Sequence, residues 1–289
     1  NKNNDIAFEW YSKSAKQFNA IALSNLANFY EHGKAVKQDL TMAAKYYNES
    51  AAAGYHKALC NLGDLYLDYK DNIEIDKALS IYKAGADKGL SDCQFSLGYT
   101  YGEFLNDQQE ALTWYKKAAN QNNATAITNI GYMYQNGVGV EVDLVKGFEY
   151  YLKAADLGNA AAQENLGRSY EFGIGTKQDY AKAHEYFAKG AAQNHAGAIV
   201  NLGTFYNKGV IVKKNRAKAL ELYKKSADLG NSAGAFNLGN AYLYGDGVEK
   251  DLEKSLQYYK QSSMAGYVEA NCKIGKIYRD LNEIDVAIN

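Results

Sequence analysis

Proline is absent from the 289 residues, and histidine and cysteine are rare. An average protein carries about 5% proline. Its absence suits long helices and leaves the 26 glycines to make the bends. The four histidines include no pair at i, i+4 spacing and lie in no metal-binding or nucleophile motif. We therefore predict no catalytic residue, no metal site and no cofactor.

An excess of one charge is missing as well. The formal net charge is -1, which favours neither nucleic acid nor an anionic membrane as a partner. A basic cluster at Lys213, Lys214, Arg216 and Lys218 has no interleaved aromatics and is a weak nucleic-acid signal. No apolar run approaches the ~20 residues of a membrane span. The sequence thus predicts no nucleic-acid partner and no membrane insertion by this segment.

What the chain does have is a repeat. A Leu or Ile followed by Gly or Ala recurs at successive distances of 36, 35, 33, 36, 36, 36 and 36 residues. The first residues of these pairs are Leu26, Leu62, Leu97, Ile130, Leu166, Leu202, Leu238 and Ile274. Numbering from the Gly or Ala as zero, position −5 is always small and position +3 is always tyrosine. These positions share one side of a helix, here named helix A, and a period of 20–50 residues indicates a repeat architecture.

A second helix, helix B, follows each helix A. It carries an aromatic residue and, four residues later, a small one, and Gly or Asn ends it. A glycine bend and a capping Asp or Asn separate the two helices, and the capping residues are Asp39, Asp143, Asp179, Asn215 and Asp251. The bends around Asp71 and Asn106 are shorter and lack the Gly-x-Gly pattern.

These patterns predict an all-α protein, a right-handed α-solenoid of helix-turn-helix repeats. Residues 1–289 are interpreted as one solenoid with seven complete repeats and a half repeat at each end. Residues 4–18 are the leading helix B, and another helix is expected to begin near Glu283. We interpret the chain as a segment of a longer protein.

The three cysteines do not recur once per repeat. Cys60 and Cys93 could face each other on adjacent repeats, but buried thiols are the favoured interpretation. The sequence therefore predicts no disulfide framework.

The sequence resembles the Sel1-like repeat family, a relative of tetratricopeptide repeats. The resemblance rests on the A-x-x-x-L-G-x-x-Y pattern, on the bend Gly137-Val138-Gly139-Val140 and on the helix B motif at residues 150–155. It implies an α-solenoid that acts as an adaptor in assembling protein complexes. The repeat-by-repeat disulfides of some bacterial members are not expected here.

Residues that vary between repeats mark the candidate binding surface. On helix A, position +1 lies opposite the side that packs in the core, and positions −3 and +5 lie beside it. Related folds place this side of helix A on the concave surface. Aromatics and arginine there are the residue types that anchor interfaces, unless tight winding buries them. The predicted partner-binding residues are Phe95, Tyr99, Tyr132, Glu164, Arg168, Phe236 and Asn240. Asparagines at −2 could bind a peptide backbone, although a structural role is favoured.

The sequence predicts a protein-interaction scaffold that binds a partner protein or peptide in this groove, and not an enzyme. One alternative is a regulatory subunit or interaction module of an enzyme whose catalytic part lies outside the chain. Another is a purely structural spacer. The sequence does not identify a compartment or an oligomeric state.

Overall fold

The computed structural model describes residues 2–68 and 73–288, with side chains except at 68 and 281–288. Over these residues the chain forms sixteen α-helices and no strand, which confirms the all-α solenoid of helix-turn-helix repeats. The helices A are α2 (Ala20–His32), α4 (Ala58–Asp68), α6 (Ser91–Glu103), α8 (Ala124–Asn136), α10 (Ala160–Phe172), α12 (Ala196–Lys208), α14 (Ser232–Tyr244) and α16 (Val268–Ile288). The helices B are α1 (Lys2–Ala15), α3 (Leu40–Ala52), α5 (Ile75–Asp87), α7 (Gln108–Ala119), α9 (Leu144–Asp156), α11 (Tyr180–Ala192), α13 (Arg216–Asp228) and α15 (Leu252–Met264).

The helices gather into two compact units, Asn1–Val142 and Asp143–Asn289. Within each unit a helix A packs against the helix B that follows it, and that helix B packs against the next helix A. Helices A of successive repeats also meet directly, α4 with α6 in the first unit and α10 with α12 in the second. The interpretation of 1–289 as a single solenoid domain stays a prediction.

The packing of a repeat centres on position zero of helix A, which is glycine in every copy except Ala27 of α2. The small residue at −5 and the Leu or Ile at −1 are buried in nearly every repeat. The glycine lies directly under the aromatic ring of the next helix B. A Cβ at Gly167 would be 2.6 Å from the Phe187 ring, and one at Gly239 would be 2.7 Å from the Tyr259 ring. Glycine is therefore required after the Leu because the aromatic ring fills the volume that a side chain would occupy.

The capping residues act as the sequence indicates. Asp39, Asp143, Asp179, Asn215 and Asp251 each accept a hydrogen bond from a backbone N–H in the first turn of helix B. Asp71 lies outside the described residues. The glycines that end helix A, such as Gly173 at φ +69°, adopt the left-handed conformation that stops a helix.

The second glycine of the bend has a different role, which the sequence did not reveal. It lies against the start of the helix B of the preceding repeat. A Cβ at Gly175 would overlap the carbonyl oxygen of Leu144, and one at Gly139 would be 3.0 Å from the carbonyl of Gln108. This glycine thus joins one repeat to the next. Two bends have Ala35 and Ile211 at this position, and both residues also have positive φ.

Cys60 and Cys93 form a disulfide, so the prediction of buried free thiols was wrong. Cys60 is at −3 of α4 and Cys93 is at −5 of α6. Because these two helices A pack side by side, the Cα atoms approach to 5.0 Å. Cys272 is exposed and is not bonded to either of them.

Two further details of the fold concern the length of α16 and the position of His184 on α11. Helix α16 runs without interruption from Val268 to Ile288, so the expectation of a new helix near Glu283 was wrong. His184 is half-buried on α11 at a position that leucine holds in other repeats. Its ring lies 6.1 Å from the rings of Phe205 and Tyr206, and burial lowers its pKa. Its Nε2 is buried with no hydrogen-bond partner among the described residues.

Candidate protein-binding face

The candidate site is the helix A face, defined as the residues at −3, −2, +1, +4 and +5 of the helices A. Helix B contributes to this face through the tyrosine that crosses the glycine at zero. The Tyr82 hydroxyl donates to Asp64 Oδ1 over 2.6 Å, and the Tyr259 hydroxyl donates to Asn240 Oδ1 over 2.9 Å. In these repeats the side chain at +1 is therefore hydrogen-bonded to the helix B tyrosine, so it already has a partner inside the fold.

In the first unit the predicted aromatics form a cluster around Tyr99. The Phe95 and Tyr99 rings stack with centroids 6.4 Å apart, and Tyr99 meets Phe104 edge-on at 6.2 Å. Tyr99 is 43% exposed, whereas Tyr115 beneath Phe95 is 6% exposed, and burial raises the pKa of Tyr115 to about 12. Tyr132, at the same position of α8, is 54% exposed. These rings show far more surface than the core tyrosines.

In the second unit Glu164 and Arg168 differ in their environments. Glu164 lies within 3.4 Å of His195 Nδ1 on the next repeat and accepts a 3.4 Å hydrogen bond from Asn201. It therefore links α10 to α12. Arg168 is exposed and forms no ion pair with a described carboxylate. The helix B residue under Arg168 is Phe187, which has no hydroxyl to offer.

Phe236 and Asn240 lie on α14 and are half-buried. The Phe236 ring packs 5.5 Å from Tyr259 and 4.8 Å from Tyr267. Asn240 accepts the Tyr259 hydroxyl bond described above, and burial raises the pKa of Tyr259 to about 12. Both residues thus have packing partners inside the fold in addition to their place on the face.

Position +5 carries residues that the sequence analysis did not single out. Phe172 is 61% exposed and Tyr244 is 58% exposed, and Lys208 is exposed at the same position of α12. The signal was available, because +5 lies beside +1 on helix A. Among the asparagines at −2, Asn201 has a partner inside the fold, because its side-chain amide donates a hydrogen bond to Glu164.

Within the described part of the chain, no group of three or more His, Cys, Asp and Glu side chains could hold a metal ion. None of the described helices combines the length and the apolar character needed to cross a bilayer. The groups that the face presents are aromatic rings, amides and charged side chains.

The repeats of this chain match the model of a known protein family. The Sel1 repeat model matches residues 1–17, 20–55, 91–123, 124–159, 160–195, 196–231 and 232–267, most of the chain. The chain belongs to the Sel1 repeat family. The match omits residues 56–90, the Sel1-like repeat that begins near Cys60.

Two solved Sel1 repeat structures resemble the chain closely enough to compare. One is a Sel1 repeat protein from Oxalobacter formigenes, at 26% identity and TM-score 0.69, covering 93% of this chain and 79% of that one. The other is c5321, a protective antigen of uropathogenic Escherichia coli with the same fold, at 31% identity and TM-score 0.54. That match covers 95% of this chain and 68% of that one.

Curated relatives share Sel1 repeats over shorter stretches. Chitin synthase regulator SKT5 of Saccharomyces cerevisiae is 30% identical over 145 residues, 46% of this chain and 21% of that protein. The ERAD-associated E3 ubiquitin-protein ligase component HRD3 of Candida glabrata is 32% identical over 108 residues, 34% of this chain and 13% of that protein. The chain therefore spans about a fifth or less of these relatives.

Proposed function

We propose that the chain is an adaptor that binds a partner protein on its helix A face, and that it is not itself an enzyme. The observation that carries this proposal is the exposure of aromatic rings at the position opposite the core. Tyr99 and Tyr132 are 43% and 54% exposed, whereas the core tyrosines Tyr47 and Tyr82 are each 1% exposed. Large exposed rings of this kind are typical of binding surfaces.

The helix packing explains why this face is free to vary. Small residues at −5 and zero, together with the helix B ring, fasten each repeat to its neighbours. The residues at +1 and +5 are less involved in this packing between repeats, and Tyr132, Arg168 and Phe172 are exposed. A repeat array can then keep its fold while its surface changes to suit a partner.

The relatives support a regulatory form of this proposal. Their names describe a regulator of chitin synthase and a component of a ubiquitin ligase, each of which acts with an enzyme. A second candidate function is therefore an interaction module for an enzyme whose catalytic part lies outside this chain. In both cases the chain contributes a binding face and no catalytic group.

Changing Tyr99 and Tyr132 together to alanine tests the proposal. A partner retained from native cells by the immobilised wild-type chain should bind the double variant about 30-fold more weakly, a loss of about 2 kcal/mol. The reason is that both rings lose their contact area while the core beneath them stays in place. Affinity capture identifies the partner, and titration calorimetry then measures its Kd.

The matched control is Trp10→Ala with Val145→Ala, which removes two exposed apolar side chains from helices B. This control should bind the partner as the wild type does. Circular dichroism checks that each variant is folded. Unchanged binding by the folded Tyr99→Ala/Tyr132→Ala variant would exclude these rings as anchors.

A further inference from the structure

Basic side chains accumulate on the helix A face of the second unit. Arg168, Lys208 and Lys276 are exposed at +1 or +5 of α10, α12 and α16, and none pairs with a carboxylate among the described residues. Lys273 lies on the same face, with its Nζ 3.2 Å from the Tyr244 hydroxyl. These cations are available to a ligand.

Two of the carboxylates near them are already engaged. Glu164 lies against His195 and Asn201, as described above, and Asp246 forms an ion pair with Arg216. Burial raises the pKa of the Glu171 carboxyl although Lys208 and Arg168 act in the opposite direction. At the helix A face positions of α10, α12, α14 and α16 five basic side chains outnumber three acidic ones, so this face has a positive formal charge, while the whole chain has a net charge of -1.

The freedom of Arg168 follows from one substitution in the repeat pattern. In the two following repeats a helix B tyrosine reaches position +1, where Tyr223 donates to Thr204 over 3.4 Å and Tyr259 donates to Asn240. In the α10–α11 repeat that residue is Phe187, fully buried and without a hydroxyl. The Arg168 guanidinium has no hydrogen-bond or ion-pair partner among the residues that the structure describes.

Contacts between side chains show that this surface is continuous across four helices A. Asn201 of α12 donates a hydrogen bond to Glu164 of α10. Asn207 of α12 and Asn237 and Tyr244 of α14 line one cavity of about 330 Å³, and Tyr244 contacts Lys273 of α16. Amides beside cations can bind the backbone of an extended peptide while the cations bind its acidic side chains.

We propose that the helix A face of the second unit binds an acidic peptide segment of the partner, with its carboxylates next to Arg168 and Lys208. The inference rests on the proposed adaptor function and specifies the chemistry of what is bound. A nucleic acid is disfavoured because the chain as a whole has a net charge of -1, whereas nucleic-acid binding requires an extended basic surface.

Short random peptides displayed on phage provide the test. They are selected in parallel on the full wild-type chain, on Arg168→Gln/Lys208→Gln and on Lys153→Gln/Lys225→Gln. The last variant also removes two exposed positive charges, but from the helices B of the same unit. Selected peptides are then synthesised, and their Kd values are measured by fluorescence anisotropy at low and high salt.

Acidic peptides should be selected on the wild type and on the helix B control and lost on Arg168→Gln/Lys208→Gln. Their affinity for that variant should fall at least about tenfold, and added salt should weaken their binding to the wild type. Acidic peptides that bind all three proteins equally would overturn the inference. So would a labelled single-stranded oligonucleotide that binds the wild type and depends on the same two residues.

The outcomes separate the two proposals. Selected peptides that depend on Tyr99 and Tyr132 but not on Arg168 and Lys208 would leave the adaptor function standing and refute the preference for acidic segments. A failure to select any peptide on the folded wild-type chain would refute the inference, whereas a captured partner protein that depends on Tyr99 and Tyr132 would still support the adaptor function.

Discussion

Reduction of the Cys60–Cys93 disulfide is expected to lower the free energy of unfolding by about 3–4 kcal/mol, the value for a loop of this length. The bond closes a separation of 33 residues and joins α4 directly to α6 across the intervening helix B. Both cysteines are buried, so the bond ties two repeats together inside the packed region. Urea unfolding with and without a reducing agent, followed by circular dichroism, measures the effect.

Thiol counting makes this prediction specific. The unfolded, unreduced chain should expose one reactive thiol, that of Cys272, and the reduced chain should expose all three. A Cys272→Ser variant should show the same sensitivity to reduction as the wild type. Three reactive thiols before reduction, or an unfolding midpoint that reduction does not change, would show that the bond is absent or makes no contribution.

In the bend after α10, Gly175→Ala should lower the free energy of unfolding by a similarly large amount. Gly173→Ala should lower it less. Both glycines have φ +69°, so alanine is strained at either position by about 1–2 kcal/mol. At Gly175 the added Cβ would also overlap the backbone of Leu144 in the preceding helix B. The displacement this forces should add about 1–3 kcal/mol of destabilisation.

Gly173→Ala is the matched control, because its Cβ would have no neighbour nearer than 3.4 Å. The urea midpoint should fall clearly further for Gly175→Ala than for Gly173→Ala. Equal shifts would mean that the second glycine serves only the turn, and that the contact between repeats at this bend contributes little.

Contacts within one repeat were predictable from the sequence. The capping Asp179 and the helix-ending Gly173 each act on residues a few positions away, and the structure confirms their roles. Such features follow from helix periodicity and from the conformations that each residue type permits. Repetition of the pattern adds certainty, because eight copies indicate the same packing.

Contacts between repeats were harder to predict. The Cys60–Cys93 pair occurs once, so recurrence argued against it, and Cys60 lies in residues 56–90, which the family model does not match. The contact of Gly175 with the preceding helix B could not be predicted, because glycine is expected in a bend whether or not another backbone lies close to it. Exposure on the helix A face depends on what helix B places beneath it, as Phe187 under Arg168 shows. These features require the distance between neighbouring helices, which composition and spacing do not give.

The most direct measurement for the adaptor proposal is photo-crosslinking from single positions of the chain in native cells. A photoreactive amino acid replaces Asn136 or Phe172 on the helix A face, or Glu149 or Lys225 on helices B, all of which are exposed. The account predicts that the same partner protein is crosslinked from the two helix A positions and not from the two helix B positions. Crosslinking of that partner from Glu149 and Lys225, with none from Asn136 and Phe172, would contradict it.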